Sequence, residues 1–117
     1  MLLEEEKLVL SIALSTISIL LVIVFSDRPW TLFLLLTGLV AVIHSIYPRP
    51  LLFYLICALG GASAESVAVY FGKAAWHYVL PTPPLNIPIW ILLIWVNAAI
   101  FMTGVASILQ KLSPLRI

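Results

Sequence analysis

Charge is nearly absent from this chain. Six Lys and Arg and five Asp and Glu are spread over 117 residues, or 9%, where about 25% is ordinary. A soluble fold of this size covers its surface with polar groups, and so few charged side chains cannot do that. A formal net charge of +1 also lacks the basic footprint of a nucleic-acid binder and the high charge of a disordered segment. Cysteine occurs once, as Cys57, which excludes an internal disulfide framework and any multi-cysteine metal site. Alternation of period two is missing, so a membrane barrel is excluded as well. What is abundant is apolar: hydrophobic types make up 63% of the chain. An integral membrane protein of one domain remains.

Proline is missing from four stretches, and these are the predicted spans. The eight prolines, Pro29, Pro48, Pro50, Pro81, Pro83, Pro84, Pro88 and Pro114, mark breaks because proline removes a helix donor and clashes with the preceding turn. Between them lie residues 8–25, 30–47, 51–70 with an extension toward 76, and 89–109. A hydrocarbon core of about 30 Å needs about 20 helical residues at 1.5 Å each. The backbone must satisfy itself within lipid, so each stretch is predicted to be a helix. The fold class expected is all-α, a polytopic bundle of four transmembrane helices with short loops.

The connections Ser26–Pro29 and Pro48–Pro50 fit only hairpins between antiparallel neighbours. The third connection is longer, and its run Pro81-Thr82-Pro83-Pro84 predicts a stiff exposed loop of polyproline character. The Glu4-Glu5-Glu6 run opposes the positive start of a cleavable signal. It is expected to be a solvated cap complementing the first helix dipole. Lys7, Arg49, Lys111 and Arg116 share one face, against Arg28 and Lys73 on the other. That bias predicts cytoplasmic termini, in the plasma membrane if the cell is prokaryotic. Trp30, Tyr70, Trp76, Tyr78 and Trp90 gather at the opposite face, as an interfacial aromatic belt would.

Only one acid, Glu65, lies well inside a span. A central carboxyl disfavours insertion by about 3 kcal/mol, so Glu65 must face protein or water rather than lipid. At 100° per residue it shares a stripe with Ala58, Gly61, Ala62, Ala68, Val69 and Gly72. Small residues at such spacing let another membrane helix approach closely. Counting from the first-and-third-loop face, Glu65 is roughly 8 Å deep, Ser18 and Thr37 roughly 10 Å, and Asn97 roughly 12 Å. One hydrogen-bonding side chain per helix therefore falls in a single layer. The expected site is a polar belt of Glu65, Asn97, Thr37 and Ser18, with Glu65 and Asn97 paired across the third and fourth helices.

Secondary candidates are His44, Lys73, Trp76, His77 and Tyr78. His44 lies near the opposite interface, roughly 16 Å from Glu65 in depth, too far for a dyad, and its expected partners are headgroups, Ser11 or Ser107. His77 is expected to sit at the interface beside Trp76 and Tyr78. Two isolated histidines and one carboxyl form no recognised metal site, and no phosphate loop, catalytic triad order or zincin motif occurs. No metal and no cofactor is expected, and no catalytic set is assigned.

The string Glu-Ser-Val-Ala-Val-Tyr-Phe-Gly-Lys-Ala-Ala-Trp-His-Tyr, residues 65–78, resembles a span of membrane carotenoid-pathway proteins of the lycopene-cyclase type. Those carry an acidic helix position followed by glycine and an aromatic-x-aromatic pair. The resemblance rests on Glu65, Gly72, Trp76 and Tyr78, and the second acidic pair of such cyclases is missing here. It implies an enzyme of lipid or isoprenoid metabolism with Glu65 as general acid. The residues themselves support two other readings. One is a non-enzymatic bundle that self-associates or joins a membrane complex, its polar belt holding the helices in register. The other is a small oligomeric transporter or channel with Glu65 as its proton, ion or substrate site. The expected partners are the lipid bilayer and another copy or another membrane protein, with no nucleic acid. Transport and acid chemistry require Glu65 to change protonation, whereas register does not.

Overall fold

The computed structural model describes residues 3–72 and 77–112. Four helices, each long and apolar enough to cross a bilayer, make this a multi-pass membrane bundle. They are α1 (Glu4–Phe25), α2 (Pro29–Ile46), α3 (Leu51–Gly72) and α4 (Ile91–Leu112). The longest dimension is 45 Å, about the thickness of a bilayer with its headgroups. Proline sets two of the starts. Pro29 takes the first position of α2, where its missing N–H would lack a partner in any case. Pro50 immediately precedes α3.

Helix α4 is central and packs on α1, α2 and α3, while α1 also pairs with α2. Two apolar clusters result. Leu32, Leu36, Ala62, Val69, Ile87, Trp90 and Ile91 fill the half toward the first and third loops. Leu14, Ile43, Val96 and Ile100 fill the half toward the termini. Most remaining large apolar side chains point outward, as lipid as solvent allows.

Helix α3 is continuous but not uniform. Its α-helical ends, Leu51–Leu55 and Gly61–Gly72, flank a π-helical turn at Ile56–Gly60 that packs on α4. The departure from α geometry ends at Gly60, where the glycine-rich stretch begins. A π turn inserts a residue into the ladder and rotates everything beyond it. The stripe drawn at 100° per residue nevertheless faces largely inward: Ala62 and Val69 are buried, Ala58, Gly61, Glu65 and Gly72 partly so, and Ala68 alone among them is exposed.

One expectation about the ends of the bundle needs correction, that for the third loop. The glutamate run forms the first turn of α1, where carboxylates complement the helix dipole. Glu5 Oε1 there accepts from Lys111 Nζ at 2.5 Å, joining the start of α1 to the end of α4. In the third loop Pro81, Pro83 and Pro84 are exposed, but the run closes into a turn and is not an extended polyproline rod. The Thr82 N–H donates to the Ile87 carbonyl at 2.9 Å, the Leu85 N–H to the Thr82 carbonyl at 2.8 Å, and the Ile89 N–H to Thr82 Oγ1 at 3.0 Å. Asn86 supplies the left-handed residue, φ 64°, a conformation that asparagine tolerates better than most. This tight turn drives Ile87 into the core at 1% exposure. The Ser66 hydroxyl of α3 donates to the Leu85 carbonyl, so the loop dips beside the helix, about six residues or 9 Å below its end.

Candidate functional site

Glu65 is held between two elements. Its Oε2 accepts from the Trp95 indole N–H of α4 at 2.7 Å, and its Oε1 accepts from the Tyr78 hydroxyl of the third loop. Both carboxyl oxygens are therefore engaged by donors of the protein. Trp95 reaches Glu65 by lying across Gly61, one turn earlier on α3. An added Cβ at Gly61 would stand 2.3 Å from Trp95 Cδ2 and 2.4 Å from its Cγ. The open side of the glycine is what lets the indole approach the carboxylate. With Ser66 holding Leu85, the same turn of α3 binds both α4 and the loop.

Tyr78 connects this clamp to the surface. Its ring packs edge-on against Trp90, with centroids 6.3 Å apart. Burial, and then the carboxyl to which it donates, push the Tyr78 phenol above its ordinary pKa. Tyr78 and His77 line two adjoining hollows at the loop face. One, of about 180 Å³, also borders Tyr70 and Asn86. The other, of about 480 Å³, borders Asp27 and Trp90. Trp90 is buried, so it and Tyr78 belong to the interior packing of this end. Trp30 and Tyr70, both exposed, remain where an interfacial belt would place them. Lys73 and Trp76 lie outside the described residues.

The four residues read as one polar layer take three different situations. Ser18 and Asn97 meet at the buried α1–α4 interface, where Asn97 Nδ2 donates to Ser18 Oγ at 2.5 Å. Ser18 in turn donates to the Leu14 carbonyl at 2.7 Å. Thr37 faces outward and donates to the Phe33 carbonyl of its own helix at 2.8 Å, which satisfies a hydroxyl without any neighbour. Glu65 pairs with Trp95 and not with Asn97. Residues 95 and 97 differ by 200° around a helix, so a helix that turns Trp95 toward α3 turns Asn97 toward α1.

His44 stands apart at the other end, as its depth implied. Its expected partner is replaced: Nδ1 lies 2.6 Å from the Tyr54 hydroxyl of α3, while Ser11 donates to the Lys7 carbonyl at 2.8 Å. Cys57 sits in the π turn, partly buried beside the second apolar cluster. Among the described residues no three His, Cys, Asp or Glu side chains gather into a metal-binding group.

Trp95 was missed in the sequence, although a signal existed. An indole N–H inside a span needs an acceptor, and Glu65 is the single carboxylate available there. A glycine one turn from that acid supplies the room. The chain matches no protein family, no curated protein and no solved structure.

Proposed function

We propose that this protein is a non-enzymatic membrane bundle that self-associates, or joins a larger membrane complex, through the outer face of α3. The observation that carries the reading is a second set of small residues. Gly60, Ala64 and Ala68, four residues apart, are all exposed, and nothing lies within 4 Å of a Cβ placed on Gly60. The inner face of the same helix is already occupied by Trp95 and the third loop. Membrane helices associate by close packing and not by hydrophobic drive, which favours such small-residue faces. Glu65, with both oxygens engaged, then serves to fix α3 so that the outer face is presented rigidly. The bias of Lys and Arg supports cytoplasmic termini as part of this reading, with the bundle in the plasma membrane if the cell is prokaryotic.

The test is cross-linking in native membranes. In a Cys57→Ser background, Ala64→Cys should give a disulfide-linked dimer on mild oxidation, and Ile23→Cys on α1 should give much less. Adding Gly60→Leu should abolish the Ala64→Cys cross-link. No dimer at Ala64→Cys, or equal dimer at both sites, would overturn the assignment.

A second reading is favoured by one contact, that between Glu65 and Tyr78. Tyr78 also lines the hollows that open at the loop face, so a proton or cation could reach the intramembrane acid past its hydroxyl. In that case the protein is a small oligomeric transporter. Glu65→Gln would then abolish uptake driven by a pH gradient in proteoliposomes, while leaving the cross-link at Ala64→Cys intact.

A further inference from the structure

The first and third loops meet at the larger of the two hollows on the loop face, of about 480 Å³. That volume lies within the range of small-ligand sites, about 300–1,000 Å³. Three kinds of surface border it: the aromatic Tyr78 and Trp90, the apolar Leu80 and Pro88, and Asp27, which brings a carboxylate from the first loop. The planes of Tyr78 and Trp90 stand at 86°, with centroids 6.3 Å apart. Rings at right angles leave inner corners bounded by a face of each, and the negative face of an aromatic ring attracts a cation. Trp90 Nε1 is shielded from solvent, so the N–H that would repel a cation is not presented to a guest. Asp27 is exposed, and among the described residues no cation pairs with it. Its charge is open to an occupant of the hollow.

We propose that this hollow binds a quaternary ammonium group, its methyls against Tyr78, Trp90, Leu80 and Pro88 and its charge balanced by Asp27. A primary ammonium is compact and strongly hydrated, and apolar walls return none of the hydrogen bonds it would leave in water. A methylated one has an apolar surface that such walls accept. A neutral group of the same shape would leave the carboxylate unused. The same group is carried by free solutes and by choline headgroups, and the hollow opens at the interfacial end of the bundle, where either can enter. The site depends neither on the α3 contact nor on passage of a proton to Glu65.

The test is a ligand-observed NMR titration of the full chain in a maltoside detergent with tetramethylammonium. His77 also borders the hollow, so the titration is run at pH 8, above the ordinary histidine range. Tetramethylammonium should bind saturably, and about tenfold better than methylammonium or the neutral neopentyl alcohol. Asp27→Asn should weaken it about tenfold, while Glu6→Gln at the other end of the bundle should leave it unchanged. Asp27 is exposed, so its variant should melt at the wild-type temperature, and the loss is then one of binding. In nanodiscs, binding lost in phosphatidylcholine but kept in phosphatidylethanolamine would identify the headgroup as the occupant of the site. Binding kept in both would identify a free solute. Equal affinity for methylammonium would mean a bare counter-ion at Asp27, and equal affinity for neopentyl alcohol a plain apolar pocket; either would overturn the site. So would wild-type affinity in Asp27→Asn, or no saturable binding in detergent.

Discussion

Trp95 occupies the space that a side chain at Gly61 would fill. Three atoms of its ring lie within 2.7 Å of the position a Cβ would take, and they belong to the body of the indole, which no rotation of a flexible tip can clear. Gly61→Ala must therefore displace the ring, and with it the donor to Glu65. Overpacking of this kind costs about 1–3 kcal/mol, and Gly61→Ala should lose that much stability in detergent unfolding. Gly60→Ala is the control, because nothing stands near its Cβ position. There the ordinary helix advantage of alanine, about 1 kcal/mol, should leave stability unchanged or raised. Equal effects at the two glycines would show that the indole does not lie across Gly61.

Ser18 and Thr37 sit at similar depth and should respond differently. Ser18 is 2% exposed and accepts from Asn97, so Ser18→Ala leaves a buried amide N–H without its acceptor, a cost of about 1–3 kcal/mol. Asn97 Oδ1 already lacks a donor among the described residues, which gives that amide little else to lose. Thr37 bonds within its own helix and faces outward. Thr37→Ala should fall within about 0.5 kcal/mol of wild type. Steric-trap or thermal unfolding in matched detergent gives the comparison.

These contrasts also show where the sequence could be read and where it could not. Proline gaps and apolar length located the four helices, because in lipid those two features alone decide whether a segment spans. Depth could be counted residue by residue, and it correctly kept His44 away from Glu65. Direction around each helix could not. A 200° difference separates Trp95 from Asn97, and depth does not say which of the two is turned toward α3. The third loop was misjudged for a different reason. A proline run argues for extended chain only when nothing else competes, and here the hydrogen bonds of Thr82, the conformation of Asn86 and the burial of Ile87 close it into a turn.

The clamp itself is open to a double-mutant cycle. Glu65→Leu removes the acceptor and Trp95→Phe the donor of this hydrogen bond, and coupling across membrane helices averages about 0.6 kcal/mol with a maximum near 1.7. A value in that range is expected for Glu65 with Trp95. Glu65→Gln with Asn97→Ala should be additive within about 0.3–0.5 kcal/mol, since the two side chains face different helices. The reverse pattern would restore the belt and remove the clamp.

Tyr78 gives the pH dependence its sign. Burial, followed by the hydrogen bond to Glu65, raises the phenol pKa in the folded protein above the ordinary value of about 10. A raised pKa means that the folded state holds its proton more tightly than the unfolded state. The stability it contributes is thus complete below about pH 10, and is lost as pH climbs from there through the folded-state value. Spectrophotometric titration of the native protein in detergent should show a tyrosinate step displaced above the ordinary range. In Tyr78→Phe that late step should vanish. The variant should also lose less stability than wild type when pH is raised past 10, because it has no proton there to give up. If the late step persists in Tyr78→Phe, the tyrosine donating to Glu65 is not the one that resists ionisation, and the loop is not fastened to α3 in the way the geometry describes.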